Sequence, residues 1–295
     1  MEFPAIAGHE GAGIVRAIGS EVKDKSLQVG DSVLLSFAAC GECGYCRDDQ
    51  FSKCTDFPSL NLTGIRRPDG TTPAKLAADG RPVRSQFFGQ SSFSRISVVH
   101  EHCVVKCPYP EDMAIYSPMG CGYQTGAGTI LNIMKPKADQ TVAVFGAGSV
   151  GFAAIMAAAT VPARQIIAID IVEQKLALAK ELGATHTINS ADIQGSVVDE
   201  IKKITGGNGV DFAIDTTGVA AVVEKMLDCL AYSGTAASVG APPRGDKITV
   251  NAGAFFAGKK TWISVAEGDS HPPEVVAIPF SPSRSQLTAC SLSPS

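Results

Sequence analysis

Gly146-Ala147-Gly148-Ser149-Val150-Gly151 lies between an apolar run, Thr141 to Phe145, and an alanine-rich stretch that continues to Val161. Three glycines at this spacing, after a strand and at the start of a helix, suit one task well, the presentation of bare backbone to a phosphate. The first permits a tight turn, the second lets the chain approach a pyrophosphate without a Cβ, and the third lets helix pack closely on strand. Val150 sits inside the turn. The unpaired amides and the positive end of the helix dipole then face the phosphate charge. Asp170 ends the next apolar run, at the distance where a carboxylate accepts hydrogen bonds from an adenosine ribose and repels a 2′-phosphate. The reading is an NAD site, with Lys175 either at the ribose or solvated on its helix. A purely structural glycine turn followed by a chance acid is the competing reading, and the strand and helix context argues against it.

That context is periodic. After Pro136, short apolar runs alternate with helical patterns that end at glycine. Thr141 to Phe145, Gln165 to Ile169, Val210 to Asp215 and Thr235 to Val239 read as buried strands of a parallel sheet. Glu173 to Leu182 and the run from Val197 to Ile204 place apolar residues on one helical face before Gly183 and Gly206. The one stretch apolar enough to suggest a membrane span, Thr141 to Val161, is broken by three glycines. It reads as strand, turn and helix.

The first 108 residues look different. Gly13 to Ile18, Ser32 to Leu35 and Arg95 to Val99 are β-branched runs with long connections between them, and Thr63 to Ser85 reads as an exposed loop insertion. Cys40, Cys43, Cys46 and Cys54 follow the pattern C-x2-C-x2-C-x7-C. Four thiolates in one loop can close a tetrahedron around zinc with no open position, which makes such a site structural. An iron-sulfur cluster or four unrelated thiols remain alternatives on spacing alone. His9 and Cys121 are each flanked by glycine, and alone each reads as an ordinary structural residue.

Composition limits the partners. With 295 residues and 45% hydrophobic content the chain can bury the cores of about two domains. A formal net charge of -4 offers no basic footprint for nucleic acid, and a zinc module that binds it is the reading this excludes. No basic and apolar leader follows Met1, and nine cysteines without one suggest reduced thiols in the cytoplasm. No membrane partner is expected.

Taken in order, Gly8-His9-Glu10-Gly11-Ala12-Gly13, Gly30-Asp31, the cysteine lobe, Gly120-Cys121-Gly122 and the GAGSVG turn resemble the zinc-containing alcohol dehydrogenases of the medium-chain superfamily. The resemblance covers residues 1 to about 265. The string Phe87-Phe88-Gly89-Gln90-Ser91-Ser92-Phe93 and Gly122-Tyr123-Gln124-Thr125-Gly126 look most like the aryl-alcohol, or benzyl-alcohol, branch.

The resemblance implies an α/β fold in which a Rossmann doubly wound parallel sheet, residues 126–265, follows an N-terminal GroES-like β-barrel domain, residues 1–125. It implies a structural zinc at Cys40, Cys43, Cys46 and Cys54. It also implies a catalytic zinc held by His9 and Cys121 with Glu10 beside it, and Thr125 next to the nicotinamide. The implied activity is hydride transfer between a primary or aromatic alcohol and NAD, giving an aldehyde or ketone. A homodimer or homotetramer joined through the edge of the nucleotide-binding sheet is the implied assembly.

Departures temper these expectations. The family's first zinc-ligand cysteine and its proton-relay hydroxyl and histidine lie upstream of the GHE motif, so the barrel domain is read as truncated and the catalytic sphere as incomplete. Residues 266–295 are read as an irregular, disordered tail, because pattern is lost after about Gly268 and Pro279 to Ser295 is rich in serine and proline. An out-of-frame or mis-spliced end is the expectation this raises. The alternative function, a non-catalytic fragment that binds zinc and NAD, follows from the same departures.

Overall fold

The computed structural model describes residues 2–66 and 69–277. Its chain divides into two compact units, residues 2–124 with the segment that begins at Asp269, and residues 125–268.

The first unit is built from short strands. β1 (Ala12–Ile14) pairs antiparallel with β2 (Ser32–Leu35). β3 (Ala74–Lys75) and β4 (Pro82–Val83) form a separate hairpin, and β5 (Val104–Lys106) closes the order β1-β2-β5. The central strand carries the burial: Val33, Leu34 and Leu35 are all buried, with Phe37 beyond them. Its ends are fixed by polar bonds, including Lys106 Nζ to Asp31 at 2.9 Å.

Three expectations for this region are corrected. The strand expected from Gly13 to Ile18 ends at Ile14, because Arg16 to Ser20 are all exposed and have no sheet face to pack against. Arg95 to Val99 is not a strand; Ile96 is 80% exposed and Val98 54%, so the β-branched side chains find no partner, and Val104–Lys106 pairs with β2 instead. Thr63 to Ser85 is more than a loop, since it holds the β3-β4 hairpin and buries Val83 and Ser85.

The segment from residue 266, expected to be irregular, is ordered as far as it is described. A turn at Glu267–Asp269 leads to a helix over Pro272–Ala277. The physical reason lies in specific anchors: Asp269 accepts a bond from Ser52 Oγ at 3.2 Å and pairs with Lys53 at 3.3 Å, while Ser270 Oγ donates to the Gln124 carbonyl. His271 stacks near Phe51 with ring centroids 5.3 Å apart. The serine- and proline-rich stretch from Pro279 to Ser295 lies outside the described residues.

The second unit is a six-stranded, wholly parallel sheet. Its strands are β6 (Thr141–Phe145), β7 (Gln165–Asp170), β8 (His186–Asn189), β9 (Val210–Asp215), β10 (Leu230–Ser238) and β11 (Thr261–Ser264). The order β11-β10-β9-β6-β7-β8 reverses direction on either side of β6. Such a reversal opens a crevice at the carboxyl ends of the central strands, where ligands of doubly wound sheets bind. Every residue of β6 is buried, as a central parallel strand requires. The helices over Glu173–Glu181 and Val197–Ile204 bury Leu176, Ala179, Val197 and Ile201, the faces that their apolar spacing marks.

No helix among the described residues is long and apolar enough to cross a membrane. Thr141 to Val161 is instead strand, glycine turn and a helix over Ser149–Thr160.

Candidate functional site

The glycine turn joins β6 to the helix at Ser149–Thr160, and its three glycines differ in what surrounds them. Gly146 has φ +95°, and a Cβ there would meet Thr216 Oγ1 at 2.6 Å, so only glycine makes this turn without strain. At Gly148 nothing lies within 4 Å of a Cβ position, which leaves open space above the backbone. At Gly151 a Cβ would fall 1.9 Å from the Gly146 carbonyl oxygen, so this glycine lets the helix seat on the strand.

A cavity of about 1010 Å³ opens over this turn. Gly146, Gly148, Val150, Asp170 and Lys175 all line it, whereas Gly151 does not and acts in packing. The Asp170 carboxylate is tightly held: it accepts from Ala147 N at 2.7 Å and from Ile171 N and Val172 N at 2.8 and 2.9 Å. Those bonds fix a negative charge at the cavity wall beside the turn. Thr125 is buried, its carbonyl accepts from Thr129 Oγ1 at 2.7 Å, and it is not among the residues lining this cavity.

A buried carboxylate that the sequence reading passed over organises the loop whose Thr216 and Thr217 line the cavity. Asp215, at the end of β9 and fully buried, accepts from Thr217 N, Thr217 Oγ1 and Gly218 N. Thr216 Oγ1 in turn donates to the carbonyls of Phe145 and Gly146, each at 3.0 Å. An acid at the end of a strand followed by two threonines and a glycine is the sequence signal that marks this loop.

In the first unit, the ligand atoms of Cys40, Cys43, Cys46 and Cys54 all lie within 4.8 Å of one another. The loop is wound so that amides point at sulfur: Cys43 N donates to Cys40 Sγ at 3.3 Å, and Cys40 N to Cys54 Sγ at 3.4 Å. Amides of Thr55 and Cys46 pull the Cys43 thiol down to about 6, while burial pushes Cys46 up to about 12. Four sulfurs at this separation fit a tetrahedral zinc, which would take the place of their protons. Asn61, fully buried on the helix over Phe57–Leu62, anchors the lobe by bonding both the N–H and the carbonyl of Ala38.

His9 is half-buried against Phe87 and Phe88, with ring centroids 5.6 and 4.6 Å away. Burial lowers its pKa, against an upward pull from Glu10, so the neutral imidazole with a free lone pair is favoured. The Glu10 Oε1 accepts from Gly122 N at 3.0 Å and so ties the His9 turn to the turn that carries Cys121. Among the described residues, the group of three or more ligand side chains that could hold a metal ion is the four-cysteine lobe, and His9, Glu10 and Cys121 do not form a second one. In kind, an imidazole and a thiol are donors that zinc takes, and they fit it as two ligands with a carboxylate held alongside.

A parallel sheet with a glycine turn over a cavity, together with a four-cysteine lobe and a histidine turn, defines a metal-assisted dehydrogenase. The chain belongs to the zinc-dependent alcohol dehydrogenase family. The family model for the alcohol dehydrogenase GroES-like domain matches residues 1–109, and the zinc-binding dehydrogenase model matches residues 149–280. Among particular relatives, geraniol dehydrogenase of Castellaniella defragrans is 37% identical over 276 residues, spanning 94% of this chain and 72% of that protein. An alcohol dehydrogenase zinc-binding domain protein from Burkholderia ambifaria matches with TM-score 0.86 and 43% identity, over 93% of this chain and 72% of that one. Benzyl alcohol dehydrogenase from Acinetobacter calcoaceticus matches with TM-score 0.83 and 38% identity, over 93% and 74%. The chain is thus a zinc-dependent alcohol oxidoreductase of GroES-like and Rossmann architecture.

Proposed function

We propose that this chain oxidises primary or aromatic alcohols with NAD, using zinc at His9 and Cys121 for the reaction and zinc at the cysteine lobe for structure. The observation that carries the cofactor reading is the fixed Asp170 carboxylate on the wall of the 1010 Å³ cavity over the glycine turn. Oδ2, which accepts a single amide, keeps a lone pair that suits a hydroxyl of an adenosine ribose, and a fixed charge repels a 2′-phosphate. The substrate reading rests on likeness to proteins named for geraniol and benzyl alcohol. Zinc at His9 and Cys121 would supply Lewis acidity to an alcohol oxygen, and the nicotinamide of NAD would take up the hydride.

The chain's own residues do the remaining work. The amides of the turn and the dipole of the helix over Ser149–Thr160 hold the pyrophosphate. Lys175 neutralises charge at the cavity rim, and Thr125 is assigned to the nicotinamide end. Glu10 keeps the Cys121 turn in register with His9 through Gly122. The alcohol would give its hydride to the oxidised cofactor and its hydroxyl proton to solvent water, leaving a carbonyl product. A homodimer or homotetramer joined through the edge of the nucleotide-binding sheet belongs to the same reading, as does residence in the cytoplasm, where reduced thiols of the lobe persist.

The test uses the purified chain. Metal analysis should find zinc, and benzyl alcohol or geraniol should reduce NAD at least about tenfold more efficiently than NADP, a difference of about 1.4 kcal/mol. Zinc-loaded protein that binds NADH yet oxidises no alcohol would overturn the reading.

A further inference from the structure

Gln90 is completely buried, and every polar atom of its amide is used. Its Oε1 accepts from Gly11 N at 3.0 Å, and its Nε2 donates to the His9 carbonyl at 2.9 Å and to the Ser36 carbonyl at 3.1 Å. One N–H partner and two carbonyl partners settle which end of the amide faces which.

Ser36, equally buried just after β2, is the next link. Its Oγ donates to the Gly120 carbonyl at 2.7 Å and accepts from Gln124 Nε2 at 3.0 Å, and the same Gln124 nitrogen also donates to the Gly120 carbonyl at 2.7 Å. Gly120 can come this close because it lacks a side chain; a Cβ there would lie 1.9 Å from the Leu35 carbonyl oxygen.

From these bonds we infer that Gln90, through Ser36, is a positioning residue that holds the His9 turn at a fixed distance from the Cys121 turn. The inference rests on the metal reading proposed above for His9 and Cys121. Two links join those turns: the Glu10 carboxylate to Gly122 N, and the chain Gln90, Ser36, Gly120. A single link would leave a hinge, while two links on either side of Cys121 make a rigid frame. Zinc affinity depends on such outer bonds, whose loss typically weakens binding by about 10- to 100-fold. The Gln90–Ser36–Gly120 arm is buried along its length, so an amide or hydroxyl removed from it leaves its partner without an easy substitute.

The experiment compares the unmodified chain with Gln90→Met, which keeps the volume and removes the three bonds, and with Ser36→Ala, which keeps the main-chain link and removes the hydroxyl. Amide hydrogen exchange is read at Gly11 and Gly122, and zinc affinity is measured by chelator competition after the lobe is filled. In Gln90→Met, protection should fall about tenfold at Gly122, an amide Gln90 does not touch, as well as at Gly11. Zinc at the His9 centre should weaken by at least about tenfold while lobe zinc and NADH binding stay unchanged. Ser36→Ala should loosen Gly122 and spare Gly11, and it carries the test if Gln90→Met does not fold. Loss of protection confined to Gly11 in Gln90→Met, or an unchanged Gly122 in Ser36→Ala, would overturn the inference. If the unmodified chain itself takes up no zinc beyond the lobe, the metal reading fails, and the exchange at Gly122 still decides whether Gln90 couples the turns.

Discussion

Asp170 shows how much one residue can decide. Its two oxygens accept three backbone amides, so the charge cannot swing away when a cofactor arrives. Asp170→Asn keeps the shape and removes the charge, and the kcat/KM ratio for NADP over NAD should rise by about tenfold. An unchanged ratio would mean that the carboxylate does not select the cofactor. Asn61 carries a structural burden of similar weight, because its fully buried amide serves Ala38 from both sides. Asn61→Ala should cost about 2–3 kcal/mol in a denaturant melt, since it leaves buried backbone groups unpaired. The glycine turn, the four cysteines and Asp170 were readable because each signal is contained in a short stretch of chain. Gln90 was not, since two of its partners lie 54 and 81 residues away and a glutamine among serines has no local pattern.

At the scale of elements, legibility follows burial. The central strands β6, β7 and β9 announce themselves by short apolar cores, Val142 to Phe145, Ile166 to Ile169 and Phe212 to Ile214. The edge strands β8 and β11 do not, because His186, Thr187 and Asn189 are polar and Thr261, Trp262 and Ser264 are exposed. Arg95 to Val99 fails in the opposite sense, having strand-like residues without a partner. The helix over Val197–Ile204 was readable from spacing, and Ile201→Ala should cost about 2–5 kcal/mol, as truncation of a fully buried isoleucine does. Polar ties also set the pH response of the first sheet. Glu101 accepts from Asp24 N and Lys23 N, which hold its carboxyl below the usual range, and Lys106 does the same for Asp31. Because both folded pKa values are depressed, their contribution is complete above the unfolded values and is lost as pH falls through the folded ones. Glu101→Gln should therefore flatten the acid side of the stability curve below pH ~5, while leaving neutral pH less affected than the deletion Glu101→Ala.

Over the whole molecule, each of the two units carries its own set of chemical groups. The first supplies thiols and an imidazole, and the second supplies a cavity whose wall is built from backbone amides and a fixed carboxylate. The return of the chain at Asp269 to pack on the lobe was not legible, because its anchors are a single acid, a serine and a histidine rather than an apolar pattern. Removing lobe zinc with a chelator should lower the melting temperature of the chain and expose the four thiols to titration, since a metal held by four clustered sulfurs ties the loop together.

Hydride transfer from alcohol to cofactor is the claim on which the rest depends. It is tested by incubating the zinc-loaded chain with NAD and benzyl alcohol carrying two deuteriums at the carbinol carbon, then weighing the reduced cofactor by mass spectrometry. Reduced cofactor carrying one deuterium is expected, with the labelled aldehyde in equal amount. Reduced cofactor without deuterium, or none at all from protein that holds both zinc and NAD, would contradict it.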